Sequence, residues 1–221
     1  MALDQQLIVS HAFEVLNGAG LEGLTLRRLA THLNVQAPAL YWHFRNKQAL
    51  LDEMATEVMR RAIRKNAHLE AERDWRVWAT AYYQGLRKTL LQYRDGAKMF
   101  SGTYLTDTDL FAPMEVSLRR LASVGFSLRE AVVGTGALYS YTIGFVIEEQ
   151  ATQFAPGEAN PQYDLAEREK RVDKDLYPLA WAAGAELFAK HEARFIEGLA
   201  LIITGMSAQL QDRRRGLTNP A

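Results

Sequence analysis

The sequence predicts an all-α fold in two parts: a small N-terminal three-helix head with a helix-turn-helix, and a larger helical domain behind it. Three observations carry this expectation. Apolar residues recur at three- and four-residue spacing along most of the chain, no stretch alternates convincingly as a strand would, and residues 24–51 pack two short helical patterns around Asn34. With 221 residues, 48% of them hydrophobic, the chain is long enough to bury a substantial core.

The head is legible element by element. Leu7, Ile8, Ala12, Val15 and Leu16 form an apolar stripe that Gly18 and Gly20 close. Thr25 is placed to cap a helix over about 26–33 that turns Leu29, Ala30 and Leu33 inward. Asn34 suits a left-handed stop, and Pro38 suits the first turn of a helix over about 37–43, where its missing N–H is not needed. Asn46 then caps a long helix with Leu50, Leu51, Met54, Val58 and Ala62 on one side.

Further helical patterns run over about 74–92, 107–123, 127–151, 174–187 and 188–211. Residues 131–147 carry no charge, but they include Ser140, two tyrosines and three glycines, and the stretch reads as a buried helix and not a membrane span. Residues 152–172, with two prolines, a glycine and a dense charge run, read as a long loop. The domain expectation is a small head at 1–46, a connecting helix at 47–66, a larger helical domain at 67–211 and a flexible tail at 212–221.

Composition excludes some functions and is silent on others. Twenty-six basic residues balance 26 acidic ones, so any attraction to nucleic acid must be local; residues 1–66 hold eight Arg or Lys against six Asp or Glu. Cysteine is absent, which excludes disulfides and fits a reducing cytoplasm. The N-terminus has an early Asp4 and no basic region before an apolar run, unlike a signal peptide. His11, His32, His43, His68 and His191 show no metal-ligand spacing and no Gly-rich phosphate loop appears, so neither an enzyme, a cofactor nor a metal is expected.

Tyr41, Trp42 and His43 stand in succession, so they point in three directions and at least one faces outward. Ala37, Pro38 and Ala39 are small enough to let a helix approach base edges closely, while Tyr41, His43 and Lys47 suit phosphate oxygens. Leu40 and Phe44 read as core. Trp42 has two readings here, a contact to DNA or packing between the short helices and the long one. A helical interaction protein that never meets DNA is the competing class.

The run 21–51, with LTLRRLA, PALYWHF and NKQALLD, resembles the DNA-binding domain of the tetracycline repressor family. YRDGAKMFSGTY at 93–104, GFSLREAV at 125–132, GFVIEEQ at 144–150 and FIEGLALIITGM at 195–206 resemble the ligand-binding domain of the same family. The resemblance implies a cytoplasmic, homodimeric, ligand-responsive repressor that binds a palindromic operator in double-stranded DNA and is released by a small-molecule inducer. It implies DNA contacts from Thr25, Arg27, Gln36, Ala37, Pro38 and Ala39, together with Tyr41, Trp42, His43 and Lys47. It also assigns the helices at 127–151 and 188–211 to the dimer, with the stripe Phe195, Leu199, Ile202, Ile203 and Met206.

For the ligand, the departures from the family matter more. A metal-binding histidine of the family is replaced by Phe100, a drug-contacting histidine by Ile63, an asparagine by Tyr82, and a glutamine falls at or near Ser117, while Thr103 and Glu148 persist. Leu86, Tyr104, Leu105, Met114, Val132 and Tyr139 also fall at or near pocket positions. Phenyl cannot ligate a hard cation, so the expected inducer is flat and largely apolar, bound without metal. A tetracycline-like or cationic drug using Glu148 as counter-charge is the alternative, and each aromatic has a second reading as core.

Overall fold

The computed structural model describes residues 3–155, 157–188 and 190–215. The head opens with α1 (Gln5–Gly23), capped by Asp4, whose side chain accepts from the Leu7 amide. Gly20 breaks its geometry at φ 71°, a backbone conformation that favours glycine, and a Cβ there would also lie 3.0 Å from Asp95 Oδ2. Thr25 caps α2 (Leu26–His32) by accepting from the Arg28 amide, and Asn34 takes the left-handed turn at φ 53°. α3 (Ala37–Tyr41) is two residues shorter than expected, because Leu40 O accepts from both the His43 and Phe44 amides and tightens the chain into a turn.

Asn46 Oδ1 accepts from the Ala49 amide and starts α4 (Lys47–Lys65), which buries Leu50, Met54, Val58 and Ala62 as its periodicity requires. The body follows with α5 (Trp75–Leu90), a short α6 (Gly96–Phe100), α7 (Phe111–Ser123) and α8 (Leu128–Ala151), the last fixed by a Ser127–Glu130 capping box. At five residues, α6 is too short for the periodicity to register in the sequence.

Residues 152–172 are not a bare loop. They hold an antiparallel pair, β1 (Gln153–Ala155) and β2 (Glu158–Ala159), and α9 (Leu165–Arg171). The charge run has a helical order that composition conceals: Asp164 caps, Glu167 lies in the first turn, and Arg168, Lys170 and Arg171 lie in the last. α10 (Pro178–Phe188) starts four residues later than expected, at a proline. α11 (His191–Arg214) continues through 212–214, part of the expected tail; 216–221 lie outside the described residues.

Two expectations about the long helices are corrected. α8 has the length and apolar composition of a membrane span, yet only a third of its apolar window is buried, because one face packs against α5, α6, α7 and α11. The α11 stripe is the chain's own core: Phe195 and Leu199 are fully buried, Ile203 and Met206 nearly so, and the Met206 thioether fills the space beside Gly134. Behind them, Arg87 on α5 grips Glu149 on α8 through Nε–Oε2 at 2.8 Å and Nη2–Oε1 at 2.5 Å, both side chains buried.

Candidate nucleic-acid interface and ligand cavity

In the head, α2, α3 and the start of α4 enclose an open concavity of about 460 Å³ lined by Thr25, Leu26, Arg27, Tyr41, Arg45, Asn46 and Lys47. Four of the sequence-predicted DNA contacts therefore share one surface. Two of the three acids of α4 are spent on its own bases: Glu57 pairs with Arg61 and Arg64, and Glu53 with Arg60. Arg27 and Arg45 have no such partner among the described residues, so the concavity is locally positive although the chain is neutral.

Trp42 is 89% exposed, which removes the reading of it as packing. Tyr41 is exposed, whereas Leu40 and Phe44 are buried, as their spacing indicated. Gln36 starts α3 without using its side chain as a cap, leaving its amide to solvent beside the exposed Pro38; Ala37, Ala39 and His43 are half-buried. Lys47 is partly committed, since Nζ donates to Leu21 O at 2.6 Å. Leu26 is buried and offers DNA only its backbone.

The body holds a cavity of about 370 Å³, within the ~300–1,000 Å³ typical of small-molecule sites. Met59 and Ile63 come from α4, Trp78, Tyr82 and Tyr83 from α5, Tyr104, Leu105, Asp107 and Leu110 from the segment before α7, Phe111, Pro113, Met114, Ser117 and Leu118 from α7, and Thr135 from α8. Tyr104, Phe111 and Met114 are exposed and form an apolar mouth. Trp78 stacks on Tyr82 with ring centroids 5.5 Å apart, and Tyr83 meets Tyr82 edge-on at 5.3 Å.

The polar groups of this cavity are mostly engaged. Tyr83 donates to Thr135 O, Ser117 to Pro113 O and Thr135 to Ala131 O. Burial holds the Tyr82 and Tyr83 hydroxyls above the usual phenol range, so both stay neutral. The single carboxylate, Asp107, lies below its usual range because the Asp109 amide, and then Arg60 at 2.7 Å, bind it. No imidazole lines the cavity, and the one oxygen donor with charge already has a cation, so the lining suits a neutral aromatic better than a metal chelate.

Six of the twelve ligand positions expected from the sequence line this cavity: Ile63, Tyr82, Tyr104, Leu105, Met114 and Ser117. Six do not. Leu86 and Phe100 are buried core, because α6 turns the Phe100 ring towards Tyr139, 6.3 Å away between centroids. Tyr139 packs there on α8, Val132 is exposed on the same helix, and Thr103 donates to Phe100 O. Glu148 is exposed and lines a second cavity of about 350 Å³ with Tyr141, Phe145, His191 and Arg194; its neighbour Glu149 is the carboxylate engaged inside the fold. Helical spacing could have added Trp78, four before Tyr82, Met59, four before Ile63, and Leu118, four after Met114. Asp107, Leu110, Phe111, Pro113, Tyr83 and Thr135 left no comparable signal.

The same segment that walls the cavity is laced to α4. The Tyr104 amide donates to Asp52 Oδ1 at 3.1 Å, the Thr106 amide to Thr56 Oγ1 at 2.8 Å, the Thr106 hydroxyl to Glu53 at 2.5 Å and Arg60 Nε to Asp107. A molecule that displaces 104–107 therefore pulls on the helix whose N-terminus borders the concavity of the head.

Residues 8–54 match the profile of bacterial regulatory proteins of the tetR family, and residues 69–210 that of the tetracyclin repressor-like C-terminal domain. Tetracycline repressor protein class A from transposon 1721 of Escherichia coli is 37% identical over 207 residues, 93% of this chain and 91% of that protein. The crystal structure of a possible TetR family transcriptional regulator from Streptomyces coelicolor A3(2) matches with a TM-score of 0.80 at 32% identity, covering 93% of this chain and 99% of that one. TetR (class A) in complex with 5a,6-anhydrotetracycline and magnesium matches with a TM-score of 0.65 at 32% identity, covering 93% and 99%.

Proposed function

The chain belongs to the tetR family of bacterial regulatory proteins, and from that premise we propose how it reads DNA and what releases it. It is a ligand-responsive transcriptional repressor and not an enzyme. In our reading residues 1–46 form the DNA-binding domain, 47–66 the connecting helix and 67–211 the ligand-binding and dimerisation domain. A cytoplasmic homodimer sets residues 37–43 of each head in successive major grooves of a palindromic operator. Arg27 reads a base or an adjacent phosphate, and Tyr41, Trp42 and the amides after Asn46 hold the backbone.

Support for the dimer comes from α8 and α11. Leu128, Val132, Val133 and Leu201 are exposed large apolar side chains on them, and Gly136, Gly144 and Gly205 have open space where a Cβ would stand. Such a surface accepts a second pair of helices at close range, as in a four-helix seam.

The inducer is a planar, largely apolar compound that needs no metal. The observation that carries this is the cavity lining: five aromatic side chains, Trp78, Tyr82, Tyr83, Tyr104 and Phe111, no imidazole, and one carboxylate already bound by Arg60. A cationic ligand is disfavoured for the same reason, since Glu148 lies on the other cavity. Tetracycline with magnesium is the second reading, favoured by the identity to the class A repressor. Ligand binding shifts 104–107 and with it α4, changing the separation of the two heads, and operator affinity falls by the ligand's preference for that geometry.

Calorimetric titration of a polycyclic aromatic panel and of tetracycline, each with magnesium and with chelator, tests the inducer. Binding that survives the chelator is the expected result; binding of tetracycline alone, and only with magnesium, overturns it. Repeating the titration on the operator complex, assembled from a promoter fragment that shifts in a gel, tests the mechanism. The operator must weaken inducer binding by the factor by which inducer weakens operator binding, and equal affinities would refute the coupling.

A further inference from the structure

Two of the five histidines that lacked ligand spacing in the sequence are brought together by the fold. His11 and Glu14 stand three apart on α1 and so share a face, and the α1–α2 turn returns the chain so that His32, in the last turn of α2, meets them. His11 Nδ1 lies 3.1 Å and His32 Nε2 2.8 Å from the same atom, Glu14 Oε2. The imidazole centroids are 5.3 Å apart with 63° between the rings, so the two nitrogens converge on the carboxylate from different directions. All three donor atoms fall within 4.8 Å of one another, the one such cluster among the described residues.

We propose that His11, Glu14 and His32 bind a divalent transition-metal ion of the zinc class, which staples α1 to α2 in the reading head. Two imidazole nitrogens and a carboxylate oxygen are a donor set of catalytic and exchangeable zinc sites, with a fourth position left to water. Bonds of about 2.0–2.1 Å in a tetrahedron set donors about 3.4 Å apart. The two hydrogen bonds of 2.8 and 3.1 Å need only open slightly, and the remaining gap, at most 4.8 Å, must close.

The exchange is balanced in protons. Each neutral imidazole that donates to Glu14 moves its proton to its other ring nitrogen, His11 Nε2 or His32 Nδ1, which has no protein partner among the described residues; the ion then takes the vacated lone pair. Partial exposure of all three side chains leaves a path for the ion and marks the site as exchangeable. Thr25 caps α2 and Arg27 lies in its first turn, both lining the concavity of the head, so fixing its far end to α1 stiffens the surface that meets DNA. Metal therefore stabilises the head and tightens operator binding, a control separate from the inducer cavity.

Full-length, tag-free protein treated with chelator is titrated with ZnCl2 by calorimetry and thermal unfolding, alongside His11→Asn, Glu14→Gln, His32→Asn and the control His68→Asn. One ion per chain and a raised Tm are expected for the wild type and the control, with Zn2+ affinity lower by about tenfold or more in each of the other three. Cobalt needs no variant: Co2+ added to the wild type gives the visible absorption of a low-coordinate N/O site. No stoichiometric Zn2+ binding, no Co2+ band, or unchanged affinity in His32→Asn would each overturn the proposal.

Discussion

The head turns its proposed contact groups outward from elements of seven and five residues, α2 and α3, whereas the cavity of the body is assembled from stretches of α4, α5, α7 and α8 and one connecting segment. In the head a side chain's role follows from its immediate neighbours: Thr25 caps, Leu40 and Phe44 anchor, and Trp42 is left over for solvent. In the body it follows from the angle at which five elements meet. A local site tolerates loss of one group, while a site built between elements depends on the contacts that hold those elements in place.

The largest expected effect sharpens that contrast within two adjacent residues. Glu149→Ala leaves the Arg87 guanidinium buried without its carboxylate and should cost about 3–5 kcal/mol in urea unfolding. Glu148→Ala, on the exposed neighbour, should stay within about 0.5 kcal/mol. Equal losses from both would show that the body does not lean on the α5–α8 pair.

Thr56→Val comes next. Thr56 is fully buried; it donates to Asp52 O and accepts from the Thr106 amide, so the valine keeps the shape and removes one of the four ties between α4 and the cavity wall. A loss of about 1–3 kcal/mol in stability is expected. The sharper readout is coupling: the ratio of inducer affinities with and without operator should move towards one, and an unchanged ratio would place the transmission elsewhere.

The sequence disclosed the head almost completely because its signals are short-range. Caps, a left-handed asparagine and a proline in a first turn each act within four residues. The body was half legible. The family resemblance pointed to Ile63, Tyr82 and Tyr104, but also to Phe100 and Tyr139, and no periodicity distinguishes an aromatic that lines a cavity from one that fills the core beside it. The direction of α6, a five-residue helix, decides that for Phe100. Glu148 and Glu149 show the same limit: one residue of helical rotation, about 100°, separates solvent from the interior. His11 and His32, 21 positions apart, meet only because α1 and α2 pack face to face.

A smaller effect belongs to the head. Thr25→Ala removes the cap of α2, and about 1 kcal/mol of stability should go with it, measured as a shift in the urea midpoint. Because the Thr25 side chain also lines the concavity, its loss should weaken operator binding by more than it weakens the fold. Thr25→Asn, which restores a capping oxygen, separates the two, recovering stability but not operator affinity.

Trp42→Ala should have the smallest effect on the fold and is the most direct test of what the head is for. A side chain that is 89% exposed contributes little to stability, so the change should stay within about 0.5 kcal/mol. If Trp42 meets the operator, affinity should nevertheless fall by about tenfold, near 1.4 kcal/mol. Fluorescence gives an independent reading, since Trp75 and Trp78 are buried and Trp181 half-buried in the body, and only Trp42 stands in the head. Operator DNA should quench wild-type emission, and Trp42→Phe should abolish that quenching while keeping a ring at the contact. Quenching that persists in Trp42→Phe would place the operator signal in the body and remove the assignment of a DNA contact to Trp42.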